Sequence, residues 1–134
     1  MKVNGMTLID YQSEAYKAIQ PHANDREEVL HWIIGLAEEV GEVASLVKHR
    51  YFHNEELPEE KFVEELGDVL WYLAAMCTAL GISFEDVAVA NIAKLGKRFG
   101  GSYSDEAVSM RHQSDEEVSK FIGRLLDNKT GGKK

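Results

Sequence analysis

One cysteine, two prolines and no excess of positive charge set the first limits on this 134-residue chain. A lone thiol, Cys77, excludes a disulfide framework within the chain, and its place in an apolar stretch suits a reducing cytoplasm. So few prolines leave long stretches with nothing to interrupt a helix, which points to an all-α fold. The formal net charge is −8, the wrong sign for binding a phosphate backbone, so no nucleic-acid partner is expected. The longest nearly apolar run, residues 69–80, is too short to span a bilayer. The N-terminus lacks the charged region and apolar run of a signal peptide, so no membrane partner is expected and the cytoplasm is the expected location. There is no internal repeat, and the only low-complexity block is the tail 128–134. What is present is ordinary for a globular protein, 44% hydrophobic and 28% charged, in a length that suits one domain with a real core.

Cap and stop signals divide the chain into helices. Residues 1–6 read as a loose leader. Thr7-x-x-Asp10 is a capping box, Leu8, Tyr11, Ala15, Ala18 and Ile19 give the first helix an apolar side, and Pro21 stops it. Asp25-x-x-Glu28 opens a long second helix that runs to about His49. Gly35 and Gly41 lie inside it and allow a close approach, by a partner helix at Gly35 and by a ligand at Gly41. Pro58, Glu59 and Glu60 suit the first turn of a third helix, with Pro at its first position, which ends at Gly81. Ser83-x-x-Asp86 caps a fourth helix, ending at Phe99 before Gly100-Gly101. Residues 102–113 form a polar connection. Ser114-x-x-Glu117 opens a last helix with Val118, Phe121, Ile122, Leu125 and Leu126 on one face. The expected division is a domain over 1–113, then a C-terminal helix and disordered tail over 114–134.

Two acidic clusters interrupt the apolar pattern, Glu38-Glu39-Val40-Gly41-Glu42 and Glu64-Glu65-Leu66-Gly67-Asp68. A helix advances about 100° per residue, so positions three and four apart share a face. Glu39 or Glu38 with Glu42, and Glu65 with Asp68, can therefore aim two carboxylates from each helix at one point. No Lys or Arg follows one turn on, as an exposed acidic stripe would favour. Trp71, Tyr72, Ala75 and Ala79 share the face of Asp68, and Phe62, Leu66, Val69, Leu70, Leu73 and Cys77 form the opposite face. A helix apolar all round is a buried one, so Asp68 is expected at the edge of a buried surface. An unpaired carboxylate is costly there, and a cation would offset that cost. The spacing leaves two readings open, a divalent cation between the helices or structural acids. All-oxygen donors suit a hard cation such as Mg²⁺ or Mn²⁺, and the Glu-x-x-His pairs of di-iron bundles are missing from both clusters.

Asn91, Lys94 and Arg98 form a polar, cationic stripe on the fourth helix, with Lys97 beside it. It reads either as a phosphate contact or as basic residues complementing a helix C-terminus. His31, Trp32, Trp71, Tyr72 and Asn91 lie near the motifs and could stack on or read a base; for the aromatics the alternative is core packing.

Taken together, Glu38-Glu39-x-x-Glu42, Glu65-x-x-Asp68 and residues 91–99 (NIAKLGKRF) resemble the EExxE…ExxD and basic segments of the MazG-like NTP pyrophosphohydrolases. The likeness covers roughly residues 7–103. It implies a MazG-like helical bundle of four core helices, here with a C-terminal helix added, working as a homodimer or homotetramer. It implies Mg²⁺-dependent hydrolysis of a nucleoside triphosphate to the monophosphate and pyrophosphate, with Mn²⁺ as the alternative ion. By motif position it makes Glu39, Glu42, Glu65 and Asp68 the metal ligands. Glu38 would hold a further metal or orient the attacking water, with Glu39 beside it in the catalytic pair. Lys94 and Arg98 would contact the triphosphate, with Asn91 and Lys97 beside them; Trp32, one or two helical turns before the acids, joins the substrate set from the reading of the aromatics and not from the resemblance. Siblings on the same scaffold, a dimeric dUTPase or a phosphoribosyl-ATP pyrophosphohydrolase, are the alternative enzymes. A helical interaction module that has lost activity is the non-enzymatic alternative.

Overall fold

The computed structural model describes residues 5–20, 24–99 (side chains to 96), 119–120 and 122–124. The helices are α1 (Leu8–Tyr16), α2 (Asp25–Phe52), α3 (Glu59–Ala79) and α4 (Phe84–Phe99), and no strand occurs among the described residues. The all-α expectation holds.

The termini follow from local chemistry. At α1 the Thr7 hydroxyl accepts from the Asp10 N–H at 3.1 Å while the Asp10 carboxylate accepts from the Thr7 N–H at 3.0 Å, the reciprocal cap expected. The helix stops earlier than Pro21, at Tyr16. Lys17, Ala18 and Ile19 each donate to the carbonyl three residues back, a tight turn that ends the α-helical ladder and leaves Ala18 exposed. The cap of α2 is Asn24, whose side chain accepts from the Glu27 N–H at 2.9 Å, one residue before the Asp25 box. This helix continues to Phe52, past the expected His49. Asn54 then takes φ +51, a left-handed conformation that Asn tolerates better than most side chains. Pro58 is the N-cap of α3 rather than its first helical residue. Gly81 closes α3 with φ +68. Its N–H donates to the Thr78 carbonyl at 3.0 Å, and the Ile82 N–H donates to the Cys77 carbonyl at 2.8 Å.

The chain forms two compact units, Met1–Phe84 and Glu85–Lys134. In the first, α3 packs against both α1 and α2. Small residues let the helices approach: Ala74 and Ala75 are wholly buried, and with Ala15, Cys77 and Phe84 they form the interior of this unit. Leu8, Tyr11 and Trp71 close over it. Between α2 and α3 lies an aromatic cluster, with Trp32 and Trp71 edge to face at 5.5 Å and Trp71 and Tyr72 at 5.0 Å. Gly35 is buried beside the Tyr72 ring, and a Cβ at Gly35 would overlap its Cε1 and Cζ atoms. The close helix approach expected at Gly35 is therefore present. Gly41 differs: among the described residues a Cβ there would meet nothing within 4 Å.

α3 is not buried all round. Leu66, Leu70 and Leu73 are 53%, 36% and 37% exposed, because among the described residues of this unit α3 has neighbours on the α1 and α2 sides only. On α2, Ile33, Ile34 and Val40 are also exposed. Among the described residues no single helix is long and apolar enough to cross a membrane. The connection 102–113 lies outside the described residues, as does most of the expected last helix. Residues 119–120 and 122–124 of that helix are helical, with Ile122 half-buried.

Candidate metal centre

Both acidic clusters lie in the middle of long helices, so their carboxylates are fixed in height by the backbone ladder. Glu38, Glu39 and Glu42 belong to α2, and Glu65 and Asp68 belong to α3. The α2–α3 packing brings one oxygen each from Glu39, Glu65 and Asp68 within 4.8 Å of one another. Glu39 and Glu65 are half-buried, whereas Asp68 is exposed. Asp68, expected at the edge of a buried surface, is on the exposed side of that edge, and the desolvation cost falls on Glu39 instead. Burial raises the Glu39 pKa above the ordinary carboxylate value, and the charges of Asp68, Glu38, Glu65 and Glu42 raise it further. Glu42 and Glu38 are exposed and stand outside the three-oxygen group, though both act on Glu39 through their charge.

Among the described residues none of the three clustered carboxylates has a salt bridge to a Lys, Arg or His. The nearest cation in sequence, Lys61, bonds Glu64 at 3.1 Å on the exposed side. Three uncompensated carboxylates converging from two helices repel one another at neutral pH. Their donor set of hard oxygens fits a divalent cation such as Mg²⁺ or Mn²⁺.

Two phenols border this charge. Tyr72 has its pKa raised by burial and then by Glu39, Glu38 and Asp68. Tyr11, on α1, has its pKa raised by burial and then by Asp68. Tyr11 gave no sign of this in its spacing, since α1 carries no motif; only the packing of α1 on α3 brings it into that field. Trp32 is 2% exposed, stacked on His31 at 4.6 Å and flanked by Trp71 and Tyr72. It is an interior side chain here, and a base could reach it only after one of these rings moved aside. Asn91 and Lys94 lie on α4, in the second unit, Asn91 exposed and Lys94 half-buried. Lys97 and Arg98 are on the same helix, and their side chains lie outside the described residues.

Residues 27–100 match the family described as the MazG nucleotide pyrophosphohydrolase domain, more than half of the chain and both acidic clusters within it. This chain belongs to the MazG family. Its all-α fold is that of the family, whose description names nucleotide pyrophosphohydrolysis as the family's chemistry. Two Bacillus subtilis (strain 168) proteins are similar. One, named Uncharacterized protein YvdC, is 38% identical over 74 residues, 48% of this chain and 69% of that protein. The other, named Uncharacterized protein YpjD, is 34% identical over 83 residues, 60% of this chain and 75% of that protein. No solved structure matches.

Proposed function

We propose that this MazG protein is a Mg²⁺-dependent hydrolase that converts a (d)NTP to the (d)NMP and pyrophosphate, in the service of nucleotide-pool sanitation. One observation carries the reading: both halves of the acidic signature contribute to one three-carboxylate group that, among the described residues, has no salt bridge to a cationic side chain. Glu39, Glu65 and Asp68 would hold the ion, with Glu42 on the same helix as Glu39 completing the set. A bound divalent ion supplies neutralisation of phosphate oxygens and acidification of water, which lets an anionic substrate meet these carboxylates.

The protein's own groups do the rest. Glu38, one residue from Glu39 and exposed, would accept a hydrogen bond from the attacking water and hold it in line with the α-phosphorus. Lys94 and Arg98, with Asn91 and Lys97, would bind the triphosphate oxygens, where charge-assisted hydrogen bonds are strongest. Trp71 and Tyr72 would form the apolar wall against which a base is sized, with the buried Trp32 packed behind them. Cleavage at the α-phosphorus expels pyrophosphate as the leaving group.

The test is product identification with purified protein, Mg²⁺ and a panel of NTPs, dNTPs and damaged nucleotides. Monophosphate plus pyrophosphate is expected, and the rank order names the base and sugar. Diphosphate plus phosphate would keep the cation site and overturn attack at the α-phosphorus. No turnover together with no cation effect on melting temperature would sink the enzyme reading, since any ion bound to the fold stabilises it by mass action.

We also propose that the protein is a homodimer or homotetramer and that it resides in the cytoplasm. Exposed apolar side chains on both long helices support assembly: Ile34 is 65% exposed, Val63 70% and Leu66 53%. Light scattering at micromolar concentration should give at least twice the chain mass; a monomer would rule this out. Residues 114–134 are proposed as a C-terminal helix and tail outside the catalytic domain.

A further inference from the structure

Two histidines close the end of α2, one helical turn apart. His49 lies in the last turn, and His53 is the C-cap. The His53 N–H donates to the His49 carbonyl at 3.2 Å, so the i, i+4 relation of the helix carries through the cap. Two histidines at that spacing on one helix face are a chelating pair. Their ring centres lie 5.2 Å apart, with the planes at 47°. Two imidazoles on one tetrahedral ion would have the same separation. With each nitrogen about 2.0–2.1 Å from the metal and the ring centre about 1.2 Å behind it, the two centres come out about 5.2 Å apart.

Glu55 adds an independent element. Its Oε1 lies 2.9 Å from His49 Nδ1. A carboxylate only accepts, so Nδ1 carries the proton, and in the neutral ring Nε2 keeps its lone pair. A carboxylate on the remote N–H is what orients a metal-binding imidazole and makes it more basic. The backbone supports this contact. The Glu55 N–H donates to the His49 carbonyl at 3.3 Å, and Asn54 takes its left-handed φ of +51 to make the turn. The acidic clusters do not account for the arrangement, since His49 is seven residues beyond Glu42, about 10 Å along the helix.

We infer that His49 and His53 form a second cation site, a two-imidazole chelate for a borderline divalent transition ion such as Zn²⁺, with Glu55 orienting His49. Nitrogen donors select such an ion over Mg²⁺, which takes oxygen and suits the carboxylates instead. The place favours positive charge, because a helix C-terminus carries the negative end of the dipole. It is also open: His53 and Glu55 are exposed, and 42% of the His49 side chain is accessible. Water completes the coordination. The bound ion ties the last turn of α2 to its cap, whether or not the protein performs the reaction proposed above.

The probe is Zn²⁺ alone, titrated into untagged protein, with binding read by calorimetry and the imidazole resonances read by NMR. The background is Asp68→Asn, which weakens the carboxylate centre. There the His49 and His53 resonances should shift together on Zn²⁺ addition, with His31 unmoved. His49→Gln, which can still donate to Glu55, and His53→Ala should each weaken this binding about tenfold or more, and Glu55→Ala roughly tenfold. About a hundredfold excess of Mg²⁺ should leave both resonances in place. In chelator the three variants should melt within about 5 °C of their background, since these side chains lie at the surface. Zn²⁺ that moves neither resonance in Asp68→Asn would overturn the inference. So would an affinity unchanged by His49→Gln and His53→Ala, which would assign the ion to other ligands.

Discussion

Glu39→Gln should lower Mg²⁺-dependent nucleotide hydrolysis roughly a hundred- to a thousand-fold, the scale of losing a charged group that organises transition-state electrostatics. The same substitution should stabilise the cation-free fold at neutral pH. Burial and the neighbouring Asp68, Glu38, Glu65 and Glu42 raise the Glu39 pKa in the folded chain. Between the ordinary carboxylate value and that raised value, the folded protein binds more protons than the unfolded one. Stability therefore falls as pH rises through this window, and the deficit persists above it. Gln carries no charge to repel. Melting curves in a chelator from pH 4 to pH 8 should show the variant gaining on wild type as pH rises, with the difference vanishing at the acid end. Added Mg²⁺ should reverse the order, because only wild type gains fully from binding. Asp68→Asn should lose activity to a similar degree. Wild-type activity retained in both variants, or a chelator melt in which Glu39→Gln is no more stable at pH 8, would show that these carboxylates do not act as one site.

Gly35→Ala should destabilise the protein although Ala is the better helix former. The gain in helix propensity is about 1 kcal/mol. Against it stands a methyl group placed where the Tyr72 ring already lies, with the ring Cδ1 only 2.7 Å from the new Cβ and Cε1 and Cζ nearer still. Tyr72 cannot swing aside freely, because Trp71 and Trp32 flank it at 5.0 and 6.2 Å. Overpacking of this kind costs about 1–3 kcal/mol beyond any gain, which for a chain of this size lowers the melting temperature by roughly 3–10 °C. Cation affinity should fall as well, since α2 and α3 must separate or shift and Glu39 lies one helical turn beyond Gly35. Gly41→Ala is the internal control: its Cβ meets nothing within 4 Å among the described residues, so the fold should be unharmed or slightly stabilised. A double variant with Tyr72→Ala should recover much of the loss from Gly35→Ala, a coupling measurable in a thermodynamic cycle. Gly35→Ala with unchanged melting temperature would show that the two helices have slack between them.

Helix existence was legible in the sequence because it depends on neighbours in the chain. Caps such as Thr7-x-x-Asp10, the Gly81 terminus and the absence of proline from the interiors are local choices, and the structure has helices where they predict. Ends were less legible: Asn24 competes with Asp25 for one cap, and α1 tightens at Lys17 before Pro21 is reached. Both outcomes turn on a single hydrogen bond or turn of backbone, too small a difference for spacing to decide.

For the candidate site, the sequence by itself determined which carboxylates can share a helix face, because helical periodicity alone sets that, and it carried the signature by which the chain is assigned to the MazG family. It could not determine which of them meet across two helices. The packing of α2 on α3 decided that Glu39, Glu65 and Asp68 converge while Glu42 and Glu38 stand outside the group, and that Asp68 is open while Glu39 bears the desolvation. Gly35 became the point where α2 and α3 approach closely for the same reason. Tyr11 came into the field of Asp68 only when α1 docked on α3, through contacts between residues distant in the chain. Local patterning fixes what each helix can present, whereas the contacts between helices fix which of those groups are close enough to act on one another.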